Sequence, residues 1–223
     1  MNKGNLIAFL CYTYIGDNMK KILVYGDSNT WGDNFIEGRR IPEEKKWVNI
    51  LRNKYKDKYI FYQEGLPGRI AGNEEVEKKY KNGADTFLST FRTNAPVDVV
   101  IISLGTNDLQ IKYNKSSKKI INDLKWYKEQ LEISFEDDDD KKKYFDNKFP
   151  EIIYILPINF DYEVNASVVF NKESEKKRKE IIEFFKDKNV IIGNNLDLFN
   201  DGIHLSYKGH EQMAKLVEER LND

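Results

Sequence analysis

Val97-Asp98-Val99-Val100-Ile101-Ile102-Ser103-Leu104 is the most strongly β-branched run in the chain. A strand that is apolar at successive positions has no solvent-facing side. It suits the middle of a parallel sheet covered on both faces. Such a sheet needs crossover connections, so strands should alternate with helices along the sequence. They do. Ile22 to Tyr25, Tyr59 to Gln63, Glu151 to Pro157 and Asn189 to Ile192 are the other short apolar, β-prone runs. Between them lie stretches with helical spacing. These are Glu43–Tyr55, a short face at Ala84, Phe87, Leu88 and Phe91, a longer one at Ile120, Ile121, Leu124, Tyr127 and Leu131, Glu173–Lys186, and His210–Leu221. In the fourth of these, Ile181, Ile182, Phe184 and Phe185 are assigned to the core side. The pattern predicts an α/β fold, a three-layer α/β/α sandwich on a five-stranded parallel sheet, with no internal repeat and no linker to a second domain.

The chain has 223 residues, enough for one such domain. Residues 19–223 are read as that single domain, and residues 1–18 as an N-terminal extension. Lys3 and the apolar run Leu6 to Ile15 have the look of a short targeting segment but no small-x-small cleavage site. The run is too short to span a bilayer. The expected location is the cytoplasm, with secretion as the alternative if residues 1–18 act as a signal. Lys and Arg number 36 against 37 Asp and Glu, which gives no support to a nucleic-acid partner. A single cysteine, Cys11, excludes an internal disulfide framework and a cysteine-rich zinc site, and two histidines, His204 and His210, limit metal sites as well. No metal or organic cofactor is expected. The acidic-then-basic run Glu136 to Lys143 lacks the alternating ligands and central glycine of a calcium loop, and reads as a solvated connection.

The carboxyl ends of parallel strands are where ligands bind in open α/β sheets. The first strand breaks there at Gly26-Asp27, both turn formers, and presents Ser28. A serine in this place is a candidate nucleophile if a base, an orienting acid and oxyanion donors reach it. Asp201-Gly202-Ile203-His204 offers the first two: at this spacing in a turn a carboxylate can hold Nδ1–H of the imidazole, leaving Nε2 for the serine proton. Ser206 is placed to cap the helix that follows. His210 has no such partner in sequence and is expected at the surface or half-buried. Candidate oxyanion donors are the backbone N–H of Ser28, the backbone N–H of Gly68 and the side-chain amide of Asn107. Trp31, Ile158, Phe160 and Ile203 are candidates to line a substrate pocket, against the alternative that they simply pack.

Gly26-Asp27-Ser28, Gly65-Leu66-Pro67-Gly68, Gly105-Thr106-Asn107-Asp108 and Asp201-Gly202-Ile203-His204 stand in the order and spacing of four sequence blocks. The chain thereby resembles the GDSL/SGNH hydrolases over nearly all of residues 19–223. The resemblance implies a flavodoxin-like fold. It implies Ser28 as nucleophile and oxyanion donor, Gly68 and Asn107 as the other oxyanion donors, His204 as base and Asp201 as orienting acid. In the second block Gly68 is preferred to Gly65. Gly-Asp-Ser-x-Thr-Trp-Gly and the Glu-Gly-Leu segment resemble the arylesterase/acyltransferase branch, which implies a small acyl-ester substrate, an acyl-serine intermediate, transfer to water or an alcohol, and in some members a homo-oligomer. Carbohydrate O-deacetylase, lysophospholipase and thioesterase activities use the same machinery and are the alternatives within this class. A catalytically inactive binding module of the same fold is the alternative outside it. Thr30 replaces the second glycine of the Gly-x-Ser-x-Gly elbow, which argues against an α/β-hydrolase.

Overall fold

A computed structural model describes residues 19–163 and 166–222. The expectations for residues 1–18 lie outside the described residues. Strands β1 (Lys20–Gly26), β2 (Tyr59–Gly65), β3 (Val99–Ser103), β4 (Glu151–Ile155) and β5 (Val190–Ile191) form one sheet in the order β2-β1-β3-β4-β5, all neighbours parallel. This is the flavodoxin-like doubly wound order. The helices are α1 (Ser28–Trp31), α2 (Trp47–Lys54), α3 (Gly83–Asn94), α4 (Ser117–Glu136), α5 (Asp138–Tyr144), α6 (Lys172–Phe185) and α7 (Tyr207–Asn222).

Alternation along the central strands divides the interior in two. Leu23 and Tyr25 of β1 and Val100 and Ile102 of β3 face one layer, built from Phe87 and Phe91 of α3, Leu124, Tyr127 and Leu131 of α4, and Ile181 and Phe185 of α6. Ile22, Val24, Val99 and Ile101 face the other, built from Trp47, Val48 and Leu51 of α2 and Met213, Ala214 and Val217 of α7. Both faces of β1 and β3 are therefore dry, as their unbroken apolarity requires. No helix among the described residues is long and apolar enough to cross a membrane.

Four local expectations are revised. The helix expected over Glu43–Tyr55 is a 3₁₀ turn, Glu43–Lys45, followed by α2. Phe184, assigned to the core half of α6, faces outward, because Ile181 and Phe185 already occupy the inward stripe four residues apart. The charged run after Glu136 is α5 rather than an irregular connection: the Asp137 side chain caps it by accepting the Asp140 N–H at 2.8 Å. Its aspartates stand in the first turn and its lysines in the last, the charge order that the helix dipole favours. Finally, His210 is fully buried between α7 and α2. The Trp47 N–H, left without an intrahelical acceptor at the start of α2, donates to His210 Nδ1 at 3.3 Å. Burial, with positive Lys46 and His204 nearby, pushes the His210 pKa down to about 3, so the ring is neutral.

Candidate active site

Ser28 is positioned by a single turn of helix. Asp27 caps α1 by accepting the Asn29 N–H at 2.9 Å, and Gly32, at φ 85°, closes it by donating its N–H to Ser28 O at 2.8 Å. Only a bare backbone lets this turn sit where it does. A Cβ on Gly26 would stand 2.1 Å from Thr30 Oγ1, and one on Gly65 would stand 2.4 Å from the Trp31 nitrogen. The end of β2 thus lies directly against the turn that carries Ser28. Asp27 itself is buried, and that desolvation raises its pKa to about 6 despite the hydrogen bond from Asn29.

His204 arrives from the other end of the chain. His204 Nε2 is 3.0 Å from Ser28 Oγ, and His204 Nδ1 is 2.5 Å from Asp201 Oδ2. The other carboxylate oxygen, Oδ1, accepts the backbone N–H groups of Ile203 and His204, each at 3.0 Å. Burial works against the charge on Asp201, yet the hydrogen bonds from the His204 ring and from these two N–H groups hold its carboxyl below the usual range. Burial likewise works against an imidazolium, but Asp201, with Asp33 and Asp27 at longer range, lifts the His204 pKa above its ordinary 6.5. Leu205 N–H donates to Asn29 Oδ1 at 2.8 Å, so the residue after Ser28 is fastened to the residue after His204. Trp47 Nε1–H donates to Asn29 O at 3.2 Å and anchors the same turn to α2. Ser206 caps α7 as expected, its Oγ accepting the Gly209 N–H at 3.1 Å.

The second and third loops meet beside this pair. Leu66 N–H donates to Gly26 O at 3.0 Å, and Arg69 Nη1 donates to the same carbonyl at 2.9 Å while its guanidinium lies 4.1 Å over the Tyr25 ring. Gly68 has φ 75°, a conformation a side chain would strain. Asn107 Nδ2 donates to Arg69 O at 3.1 Å, and Asn107 Oδ1 accepts from Gln110 Nε2 at 2.7 Å. One of the two amide protons of Asn107 is thereby used to fix the side chain, and the other has no acceptor among the described residues.

A model of the family described as GDSL-like Lipase/Acylhydrolase matches residues 22–217. The chain belongs to this family. It is accordingly a hydrolase, with the family's chemistry on acyl esters. No curated protein matches the sequence. Among solved structures, a putative arylesterase from Agrobacterium tumefaciens is 20% identical, with TM-score 0.78, over 92% of this chain and 99% of that one. A carbohydrate acetylesterase from Sinorhizobium meliloti is 22% identical, with TM-score 0.72, over 91% of this chain and 98% of that one. The inhibitor-bound aryl esterase of M. smegmatis is also 22% identical, with TM-score 0.73 and the same coverage. These likenesses speak for the fold.

Of the residues picked for a pocket, Trp31 is half-buried, with the Arg40 guanidinium 4.8 Å above its ring, and Ile203 is half-buried next to the base. Ile158 and Phe160 are packing residues: both are buried, and Phe160 stacks on Phe170 at 4.1 Å. Other residues close to the centre carry no signal in the sequence. Asp33 Oδ2 is 3.8 Å from His204 Nε2, and the Phe35 ring lies nearly parallel to the imidazole at 6.4 Å.

Next to Asn107 is a buried charge cluster. Carboxylate oxygens of Glu74, Asp108 and Asp123 lie within 4.8 Å of one another, a grouping that could hold a cation. The cation there is Lys115, whose Nζ is 2.6 Å from Asp108, 2.6 Å from Asp123 and 2.8 Å from Glu74. Burial works against the ammonium, but the three carboxylates push its pKa above the usual lysine value. Asp108 Oδ2 also accepts the Ala71 N–H at 2.8 Å. The cluster therefore ties the loop bearing Gly68 to the loop bearing Asn107.

Proposed function

We propose that the protein is a serine esterase acting on small acyl esters through an acyl-serine intermediate. The observation that carries this reading is the continuous chain Ser28 Oγ–His204 Nε2, His204 Nδ1–Asp201, at 3.0 and 2.5 Å. Ser28 Oγ attacks the acyl carbon while His204 Nε2 takes the hydroxyl proton. The carbonyl oxygen becomes an oxyanion, met by the backbone N–H of Ser28, the backbone N–H of Gly68 and the free amide proton of Asn107. The carbon–oxygen bond to the alcohol then breaks, and His204 returns the proton to the departing oxygen. Water, or a second alcohol, repeats the sequence on the acyl-serine and restores Ser28. Asp201 holds the Nδ1–H tautomer throughout and stabilises the transient imidazolium. This sequence of steps asks nothing of a cofactor.

A fluorophosphonate probe tests the assignment. It should label folded protein stoichiometrically at Ser28, located by peptide mapping, and Ser28→Ala should lose both the label and p-nitrophenyl acetate turnover. Absence of labelling would favour a binding module of the same fold. Carbohydrate O-deacetylation is a second reading, favoured by the likeness to the Sinorhizobium meliloti carbohydrate acetylesterase. Acetate release from acetylated sugars at a higher kcat/KM than from simple aryl acetates would select it.

A further inference from the structure

Asp33 has no part in the steps above, yet its Oδ2 is 3.8 Å from His204 Nε2, the ring atom that faces Ser28 Oγ at 3.0 Å. A two-stranded ribbon puts it there. Gly32, at φ 85°, turns the chain out of α1, and Asp33–Asn34 then pairs antiparallel with Arg39–Arg40. The buried Asn34 side chain accepts the Glu37 N–H at 3.3 Å and helps close the bend between them.

The cations of the ribbon are engaged elsewhere. Arg39 pairs with Glu37 at 2.7 Å. Arg40, opposite Asp33 in the register, lies over the Trp31 ring, donates Nε–H to Trp31 O at 3.1 Å and stands 3.6 Å from Glu43. The half-buried Asp33 carboxylate therefore has no hydrogen bond and no charged partner but His204 among the described residues. A neutral imidazole does not cancel its charge. A partly desolvated carboxylate without a counter-ion is an open position for a cation. Phe35, two residues on and 66% exposed, sets an aromatic ring beside the same imidazole, and aromatic rings also suit an ammonium group.

The esterase steps oblige one half of the substrate to approach this carboxylate. To take its proton, the leaving oxygen must come within hydrogen-bond distance of Nε2, and so within about 7 Å of Asp33 Oδ2. At about 0.01 M ionic strength charges are felt over about 30 Å, which takes in a group a few bonds further along the alcohol. We propose that Asp33 is a specificity-determining residue for the alcohol half of the ester. It favours amino or quaternary ammonium alcohols over neutral ones and disfavours anionic ones. The preferred substrate is then a short acyl ester of a cationic alcohol. This rests on the serine esterase reading above.

The test compares kcat/KM for three acetates: acetylcholine, its uncharged isostere 3,3-dimethylbutyl acetate, and 3-acetoxypropane-1-sulfonate. Ratios are taken at one pH, so a change in the protonation of His204, common to all three, cancels. Asp33→Asn should lower the cationic-to-neutral ratio about fivefold at low ionic strength, the scale of one partly exposed ion pair. Asp33→Lys should lower it further and raise the anionic-to-neutral ratio, whereas Asp33→Glu should keep the cationic preference. The differences should shrink in about 1 M salt, where such pairs are screened. Ratios that stay within about twofold of wild type in both Asp33→Asn and Asp33→Lys, in protein with unchanged circular dichroism, overturn the proposal. So does an equal fall for all three esters, which would mean that Asp33 acts on His204 alone. Ser28→Ala separates the two levels. If it abolishes turnover of every ester while the ratios ignore Asp33, the specificity role alone is rejected. If it leaves turnover intact, the serine reading falls with it.

Discussion

Replacing Asp201 with asparagine changes one atom of the site and should nearly silence it. The two oxygens of Asp201 have different duties. Oδ1 accepts two backbone N–H groups at 3.0 Å, and Oδ2 accepts the His204 ring nitrogen. An asparagine has one oxygen, and it must take the Oδ1 place, because an amide NH₂ there would face two donors. The NH₂ group is then forced against His204 Nδ1, which has to become the acceptor. The ring proton moves to Nε2 and points at Ser28 Oγ, 3.0 Å away. An imidazole in that tautomer cannot take the serine proton. The same substitution in another serine hydrolase costs about 10⁴-fold in kcat, or about 5 kcal/mol of barrier. The fold should survive, because the turn keeps both backbone hydrogen bonds; the stability change should stay near 1 kcal/mol, the scale of one exchanged hydrogen bond. The assay is p-nitrophenyl acetate turnover beside a urea melt. A folded Asp201→Asn protein that keeps kcat within about tenfold of wild type would refute the tautomer argument.

The pH profile follows from the same pair. The proposed mechanism needs neutral His204, and its pKa is raised, so the acid limb of kcat/KM should have its midpoint above 6.5; a midpoint below that value would contradict the surroundings described for the ring. The signs for stability are opposite for the two partners. His204, with a raised folded pKa, contributes fully below its unfolded value, and the contribution is lost as pH rises through the folded one. Asp201, with a lowered pKa, contributes above the ordinary carboxylate value, and the contribution is lost as pH falls through the folded one. Lys115→Met should leave Asp108 buried without its cation, while Asp123 and Glu74 keep Lys119, and cost about 3–5 kcal/mol in chemical denaturation. Millimolar calcium should recover part of that loss in the variant and leave wild type unaffected, and a cost below about 1 kcal/mol would show that the cluster is not held by the lysine.

The sequence was most legible where one physical demand dominated. The unbroken apolar runs of β1, β3 and β4 could only be covered strands, and the sheet edge followed from them. Three of the four loop motifs were legible because each follows directly on a strand of that sheet, and the fourth because it lies between β5 and the last helix. What stayed hidden depends on partners remote in the chain. Lys115 looks like a surface lysine until residues 74, 108 and 123 are brought around it. His210 looks solvent-facing until the Trp47 N–H needs an acceptor. Asp33 carries no motif; its interest comes from lying 3.8 Å from an imidazole nitrogen. The helix α5 was hidden differently: its run of like charges reads as solvated chain until acids and bases are seen to occupy opposite ends.

The bond between Asn29 and Leu205 spans 176 positions of sequence. It fastens the turn that carries Ser28 to the loop that carries His204 and precedes the last helix. A polypeptide still on the ribosome has the first long before it has the second. Until residue 205 has emerged and α7 has docked, the hydroxyl of Ser28 has no proton acceptor, and the nascent chain should be inert toward esters. On the proposed mechanism, the order of synthesis would act as a safety catch on the chemistry.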